Sequence, residues 1–291
     1  MRHKVQLVVP TLNAGPLWSS FITAVKTQTL VKLRVLVIDS GSADQTVELA
    51  QAAGFEIKSI SKSSFNHGGT RQWALEHLNE DIEFVVFMTQ DAILEHEHSL
   101  NTLLEGFEEP SISGVYGRQL PHSNASWYAA SLRWINYPEK SETRSLLDKE
   151  RLGIKTAFFS NSFAAYRLQS LKAVGGFPRN VILGEDMYVC AKMLLAGHKV
   201  TYCAKACVFH SHNFSYREEF KRYFDTGRFH ANQPWLLEAF GSVSGEGRNT
   251  LMIQIRQSFK LNFTEGLFAF NEVLIRSFIK LSGYYFGKFL S

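Results

Sequence analysis

Four carboxylates stand where the chain leaves an ordered run. Asp91 follows the apolar stretch Phe84-Val85-Val86-Phe87-Met88, within Thr89-Gln90-Asp91-Ala92. Asp39 closes a second apolar stretch and opens Asp39-Ser40-Gly41-Ser42, while Glu185 and Asp186 follow Gly184 at the head of a third segment. Open α/β folds bind ligands at the carboxyl edge of the sheet. A bare Asp there suits a hard, oxygen-seeking cation such as Mg2+ or Mn2+. The plainer alternative is that each Asp merely starts the next loop. Of Glu185 and Asp186, adjacent residues facing different ways, one can enter a cleft and deprotonate a hydroxyl as a general base. The alternative is complementing a helix dipole, worth roughly 0.3–1 kcal/mol.

Three further constellations supply partners. In Phe65-Asn66-His67-Gly68-Gly69-Thr70-Arg71, two glycines permit close backbone approach, and amides at the following helix start suit an anion. Arg71 adds a forked donor for phosphate or a base carbonyl. Neither the P-loop nor the dinucleotide-fold spacing is met, and an ordinary loop with an exposed Arg is the competing reading. Cys203-x3-Cys207-x2-His210-x-His212 crowds four zinc-type ligands together, but not at zinc-finger spacing. One imidazole, His210 or His212, is better used as co-ligand for the ion on Asp91; core packing or a surface histidine is the alternative. Lys221, Arg222 and Arg228 could reach phosphates, although such charges on an amphipathic helix ordinarily face solvent.

The elements that must position these groups alternate. Short apolar runs at 5–9, 33–38, 55–60 and 84–88 read as strands, and helices are expected at 15–29, 43–53 and from about 71 to 79. Ser42 is the expected cap of the second helix. This βαβ alternation predicts a parallel sheet with right-handed crossovers. A helix at 96–108, a strand at 114–120, a strand entering a small helix over 157–167, a helix after Asp186, a strand at 198–202 and a helical segment at 216–239 follow. Residues 121–156 lack clear periodicity and read as a long irregular segment, usually functional in a compact domain.

The 291 residues are 45% hydrophobic and 20% charged, the composition of a folded globular protein. From Arg248 onward, six Lys/Arg against two Glu account for the whole net charge of +4. The neutral body argues against a nucleic-acid partner. Three cysteines make no disulfide framework. The first apolar stretch is too short for a signal peptide and no run reaches about 18 apolar residues, so a cytoplasmic chain is expected.

Taken in order, VVPTLN (8–13), DSGSADQT (39–46), FNHGGTR (65–71), TQDA (89–92), GGFPRNVILGEDMYV (175–189), VFHSH (208–212) and YFDTGRFH (223–230) resemble the family 2 glycosyltransferases, most closely their bacterial rhamnosyltransferase branch. The resemblance covers about three-quarters of the chain. It implies an α/β GT-A fold, a mixed and mostly parallel sheet flanked by helices, over 1–240. Its nucleotide half would end near 95 and its acceptor half span 96–240, with 241–291 as a C-terminal amphipathic helical extension. Thr11 and Asp39 would hold the base, with Arg71 beside the phosphates. Asn13, Ser40, Asn66, Gly68, Thr89, Gln90 and Arg228 are assigned to the nucleotide sugar with them. Asp91, with His210 or His212, would hold Mg2+ or Mn2+. Asp186 would be the catalytic base and Glu185 its support.

One departure from the family pattern is informative. The metal motif is usually Asp-x-Asp, and its first Asp commonly touches ribose hydroxyls. Thr89 stands in that place, which costs a deoxyribose donor less and so favours dTDP-rhamnose over a UDP-sugar. The implied reaction is a single inverting displacement onto a saccharide carried by a polyprenyl diphosphate. A family 2 transferase of another nucleotide sugar is the first alternative, and a non-catalytic sugar-nucleotide or glycan-binding protein the second. The basic, aromatic and aliphatic residues of 249–291 favour peripheral contact with the cytoplasmic face of the inner membrane. Packing on the domain, or on a second subunit in an oligomer, is the competing reading of that tail.

Overall fold

The protein is described by a computed structural model covering residues 4–30, 33–79, 81–241 and 244–291. Its first half alternates β1 (Val5–Thr11), α1 (Trp18–Lys26), β2 (Arg34–Asp39), α2 (Thr46–Ala52), β3 (Glu56–Ser59), α3 (His67–Glu76) and β4 (Phe84–Met88). These strands pair in parallel in the order β3-β2-β1-β4. Alternate residues serve opposite faces. Val8, Val85 and Phe87 enter one core, and Leu7, Val9, Phe84, Val86 and Met88 the other. β4, covered on both faces, leaves little place for a polar side chain, which is why it reads as an unbroken apolar run.

The second half turns the sheet around. It contains β5 (Ile93–Leu94), α4 (Ser99–Glu105), β6 (Ile112–Leu120), α5 (Trp127–Asn136), β7 (Glu142–Arg144), α6 (Lys149–Leu152), β8 (Phe163–Arg167), α7 (Leu168–Ala173), α8 (Glu185–Leu195) and β9 (Lys199–Phe209). β8 runs antiparallel to β4 and β6, β9 is parallel to β6, and β5 and β7 pair antiparallel with β9. The result is one nine-stranded mixed sheet. Parallel crossovers therefore hold as far as β4 and give way to mixed antiparallel and parallel pairing beyond it.

Residues 121–156 are not irregular. They form α5, β7, α6 and short 3-10 turns, with Ser126 capping α5 by accepting from Ala129 N at 3.2 Å. Mixed aromatic, polar and apolar residues hide the helical period of α5, because it contacts the sheet, the cleft and the C-terminal helices together. Ser42 does not cap α2 either. Its hydroxyl donates to Asp39 at 2.5 Å, and Asp44 instead accepts from Thr46 N at 3.1 Å.

Four helices complete the chain: α9 (Tyr216–Asn232), α10 (Pro234–Phe240), α11 (Ser244–Ser258) and α12 (Phe263–Phe289). α12 lies against α9 at backbone distance. A Cβ on Gly287 would fall 1.9 Å from the Phe224 carbonyl oxygen, so no side chain fits there. Buried Glu219 on α9 pairs with Arg276 at 2.6 Å and Lys280 at 3.3 Å, both on α12. Close packing and a buried ion pair seat this helix on the domain. Among the described residues, no helix is long and apolar enough to cross a membrane.

Candidate active site

The sheet edge, the start of α8 and the chain after β9 enclose a cleft of about 700 Å³. Arg71, Thr89, Gln90, Asp91, Glu185, Asp186, His210 and His212 all line it. Residues more than 100 positions apart thus meet because β4 and β9 end on the same side of the sheet.

Asp91, His210 and His212 converge. His210 Nε2 lies 3.5 Å and His212 Nε2 3.6 Å from the Asp91 carboxylate, and the two Nε2 atoms are 3.1 Å apart. Ligands about 2.1 Å from one ion, at right-angled to tetrahedral spacing, sit roughly 3.0–3.4 Å from one another. The two imidazoles meet that spacing and both stand slightly beyond it from Asp91, on different carboxylate oxygens, so a small side-chain shift brings the three donors around one divalent ion. Burial lowers the basicity of both imidazoles, that of His212 to about 4. Burial opposes ionisation of Asp91, but the neighbouring His210 and His212 prevail and hold the carboxyl well below its usual range. A carboxylate and two neutral imidazoles are the protonation states that ligate metal.

Cys203 and Cys207 take no part in this group. Their thiols donate to the Thr102 and Ala204 carbonyls from within β9. Sequence spacing alone did not identify Gln119 at the end of β6. It touches His210 Nδ1 at 3.0 Å and supports the imidazole from behind. A polar residue on a buried strand was the available signal.

The α8 carboxylates have separate environments. Glu185 is nearly fully buried and pairs with buried Arg71 at 3.1 Å, while Asn161 Nδ2 donates to it at 3.1 Å. Burial raises its pKa, but the Arg71 charge outweighs that and keeps it ionised. Asp186 has no cationic partner of its own among the described residues. It accepts from Met187 N at 2.8 Å and Asn161 N at 3.3 Å. Burial, followed by the neighbouring Glu185 charge, pushes Asp186 up to about 7. An acid poised there is matched to proton transfer near neutrality.

Arg71 is therefore no exposed fork. It is a buried guanidinium that also donates to the His67 carbonyl at 3.0 Å. The glycines of its motif admit the protein's own chain: a Cβ on Gly68 would lie 2.0 Å from the Pro178 carbonyl oxygen. Asn66 caps α3 by accepting from Gly69 N at 2.6 Å.

Thr11, Asn13, Asp39 and Ser40 lace the ends of β1 and β2 together beside the cleft. The register sets Thr11 against Asp39, and its hydroxyl donates to that carboxylate at 3.1 Å. Asp39 also accepts from the amides of Gly41 and Ser42 at 3.0 and 2.9 Å. Ser40 donates to the Thr11 carbonyl at 2.8 Å, and Asn13 accepts from Ala43 N at 2.8 Å. Gln90 clamps the Leu12 backbone with both ends of its amide, at 2.8 and 3.1 Å. Arg228 is not brought to the main cleft. It is exposed and lines a smaller groove of about 100 Å³ with Asn180, Leu183 and Asp225. Arg133, Arg222 and Lys280 line the main cleft instead.

One cleft thus holds a cluster able to ligate an ion, an acid poised near neutrality and two guanidiniums, Arg133 and Arg222, with no carboxylate partner among the described residues. Comparison with known proteins agrees with this arrangement. The profile described as "Glycosyl transferase family 2" matches residues 6–175. The chain is 46% identical over 286 residues to the O-antigen chain rhamnosyltransferase RfbN of Salmonella typhimurium, covering 98% of this chain and 90% of that protein. It is 44% identical to the O-antigen chain rhamnosyltransferase WbaN of Salmonella anatum, covering 97% and 88%. In fold it is similar to the mannosyltransferase PcManGT of Pyrobaculum calidifontis, solved with GDP-Man and Mn2+, at a TM-score of 0.66 and 17% identity over 100% of this chain and 87% of that one. S. aureus TarS 1-349 with UDP-GlcNAc gives a TM-score of 0.61 and 14% identity over 98% and 90%. The chain is an enzyme of the family 2 glycosyltransferases, with a GT-A fold, in their bacterial rhamnosyltransferase branch.

Proposed function

We propose that the protein transfers L-rhamnose from dTDP-rhamnose, with inversion, to a lipid-linked saccharide during O-antigen synthesis. The observation that carries the reaction type is Asp186, an acid poised near neutrality in the cleft that also holds the Asp91, His210 and His212 cluster. Relatives named as O-antigen rhamnosyltransferases support the sugar. Thr89, in place of a ribose-binding carboxylate, supports the deoxyribose donor.

Asp186 accepts the proton of an acceptor hydroxyl as that oxygen forms its bond to the anomeric carbon. The bond from that carbon to the diphosphate oxygen breaks, and the electron pair leaves with the nucleoside diphosphate. No covalent enzyme intermediate is required. Glu185, neutralised by Arg71, stays ionised and keeps Asp186 basic through its charge. A divalent ion on Asp91, His210 and His212 would supply charge neutralisation at the diphosphate. Two imidazole donors suit Mn2+ better than Mg2+, which selects oxygen ligands. Thr11, Asn13, Asp39 and Ser40 would present the β1 and β2 loops to the base, and Arg228 would act from outside the main cleft.

The acceptor reading gains support from α12. Phe263, Leu267, Phe278, Leu281, Tyr285 and Phe289 are exposed at helical spacing, opposite the face packed on α9. This apolar stripe follows a helix about 40 Å long, with Arg256 and Lys260 before it and Lys288 at its end. That pattern suits an anionic bilayer surface. Phe278→Glu with Leu281→Glu should reduce recovery in the membrane fraction while the purified enzyme keeps its fold. Unchanged recovery, or a shift in oligomeric state instead, would reject the membrane reading.

The transfer is tested by measuring dTDP release from dTDP-rhamnose with Mn2+, beside UDP- and GDP-sugars, with a polyprenyl-diphosphate saccharide as acceptor. Faster turnover of a UDP-sugar would overturn the donor, and no turnover of any sugar nucleotide would overturn the activity.

A further inference from the structure

Two guanidiniums in the cleft have no carboxylate. No acidic group lies within ion-pair distance of Arg133 or Arg222 among the described residues. Arg222 instead approaches the Phe214 ring at 5.7 Å, and Arg133 the Tyr137 ring at 5.4 Å. Arg133 Nε is buried with no hydrogen-bond partner. Both guanidiniums line the cleft together with Asp91, His210 and His212. Arg133 is half-buried and Arg222 exposed, and the desolvated part of a guanidinium is costly unless an anion completes its shell.

Arg133 also reaches the ion site through its neighbour. Its Nη1 donates to Gln119 Oε1, the atom that His210 Nδ1 approaches at 3.0 Å. A guanidinium has donors only, so the Gln119 atom it meets must be the oxygen. His210 must then donate from Nδ1, leaving the lone pair on Nε2 facing Asp91 and His212. The amide nitrogen of Gln119 then donates to Ser160 Oγ at 2.9 Å. Arg133 thereby selects the imidazole tautomer that can ligate an ion.

We propose that Arg133 and Arg222 together seat the diphosphate of the nucleotide beside the ion, and that Arg133, through Gln119, holds His210 in its ligating tautomer. A group that two forked cations and a metal can share is a polyphosphate; a lone carboxylate would satisfy only one of them. This inference rests on the nucleotide-sugar reading above and adds the residues that hold the leaving group. Arg133 acts on the metal ligand as a positioning residue and on the diphosphate directly.

The test is calorimetric titration of dTDP, with UDP and GDP as parallel arms, into the full chain with Mn2+. Deoxythymidine is the control without phosphates. R222M and R133M should each weaken diphosphate binding at least tenfold and leave deoxythymidine binding unchanged. Imidazole 15N NMR without metal should show His210 protonated on Nδ1 in the wild type and R222M, and a tautomer mixture in R133M. Arg222 is at the surface, so R222M carries the diphosphate test should R133M fail to fold. Wild-type binding with an unchanged R222M would overturn the seat, as would parallel loss of deoxythymidine. An unaltered His210 signature in folded R133M would overturn the tautomer role. If the wild type binds none of the three nucleotides, the nucleotide-sugar reading itself fails.

Discussion

Asp91 and Asp186 face the same cleft from two regions built differently, and their acidities are driven in opposite directions. Asp91 follows a central strand and meets two imidazoles, which hold it as a carboxylate. Asp186 opens a helix, where an N-terminal dipole alone would favour its ionised form. Burial and the adjacent Glu185 reverse that preference. Element type therefore does not assign the role of an acid. The charges around it do, and they separate a permanently ionised carboxylate from one that can exchange a proton near neutrality.

The comparison can be broken most forcefully at the ion site. Asp91→Asn should abolish Mn2+ binding measured by electron paramagnetic resonance and lower turnover by about 10^4-fold, since the ion's electrostatic contribution is several kcal/mol. Retained Mn2+ affinity would remove Asp91 from the ligand set. Asp186→Asn should lower kcat by about 10^2–10^4-fold, the range for a general base, with Mn2+ and nucleotide binding preserved. Loss of nucleotide affinity in step with kcat would show that Asp186 holds the donor instead.

A substitution behind His210 comes next. Gln119→Leu should weaken Mn2+ binding about 10–100-fold, the usual cost of removing a group that orients a ligand. An unchanged Mn2+ affinity would show that the imidazole needs no support.

The smallest effects are in pH and stability. Wild-type turnover should fall tenfold per unit as pH drops below about 7 and level off above it, because the base must be unprotonated. Since Asp186 is raised above its ordinary 3.8, its protonated form contributes stability that is complete below 3.8 and lost as pH rises through about 7. Asp186→Asn should therefore melt several degrees higher than wild type at pH 8 and show no advantage at pH 3.5. A constant difference at both pH values would place the strain elsewhere.

How far the sequence could be read depended on how local the cause was. The inner strands β1, β2 and β4 were legible because burial on both faces leaves mostly apolar residues, and the ends of β2 and β4 pointed to Asp39 and Asp91. α5 was not legible, since its side chains face three environments and no single period survives. Arg133 was hidden with it. The Gly68-Gly69 pair was visible as a close approach, but what approaches is the Pro178 carbonyl, supplied by a loop about 110 positions away. The apolar and basic character of 249–291 was plain, whereas its division between a face on α9 and a face to solvent was not. That division makes Lys280 part of the cleft wall.

The sequence by itself determined the alternation of elements, the family and the types of group available for chemistry, because burial patterns and motif spacing are local properties. Tertiary structure alone decided which of those groups meet and in what charge state. Antiparallel return of β8 and the parallel pairing of β9 with β6 bring His210 and His212 to Asp91, and the start of α8 lying beside the start of α3 sets Glu185 against Arg71. Acidity depends on distance and desolvation, and neither exists until the chain is folded.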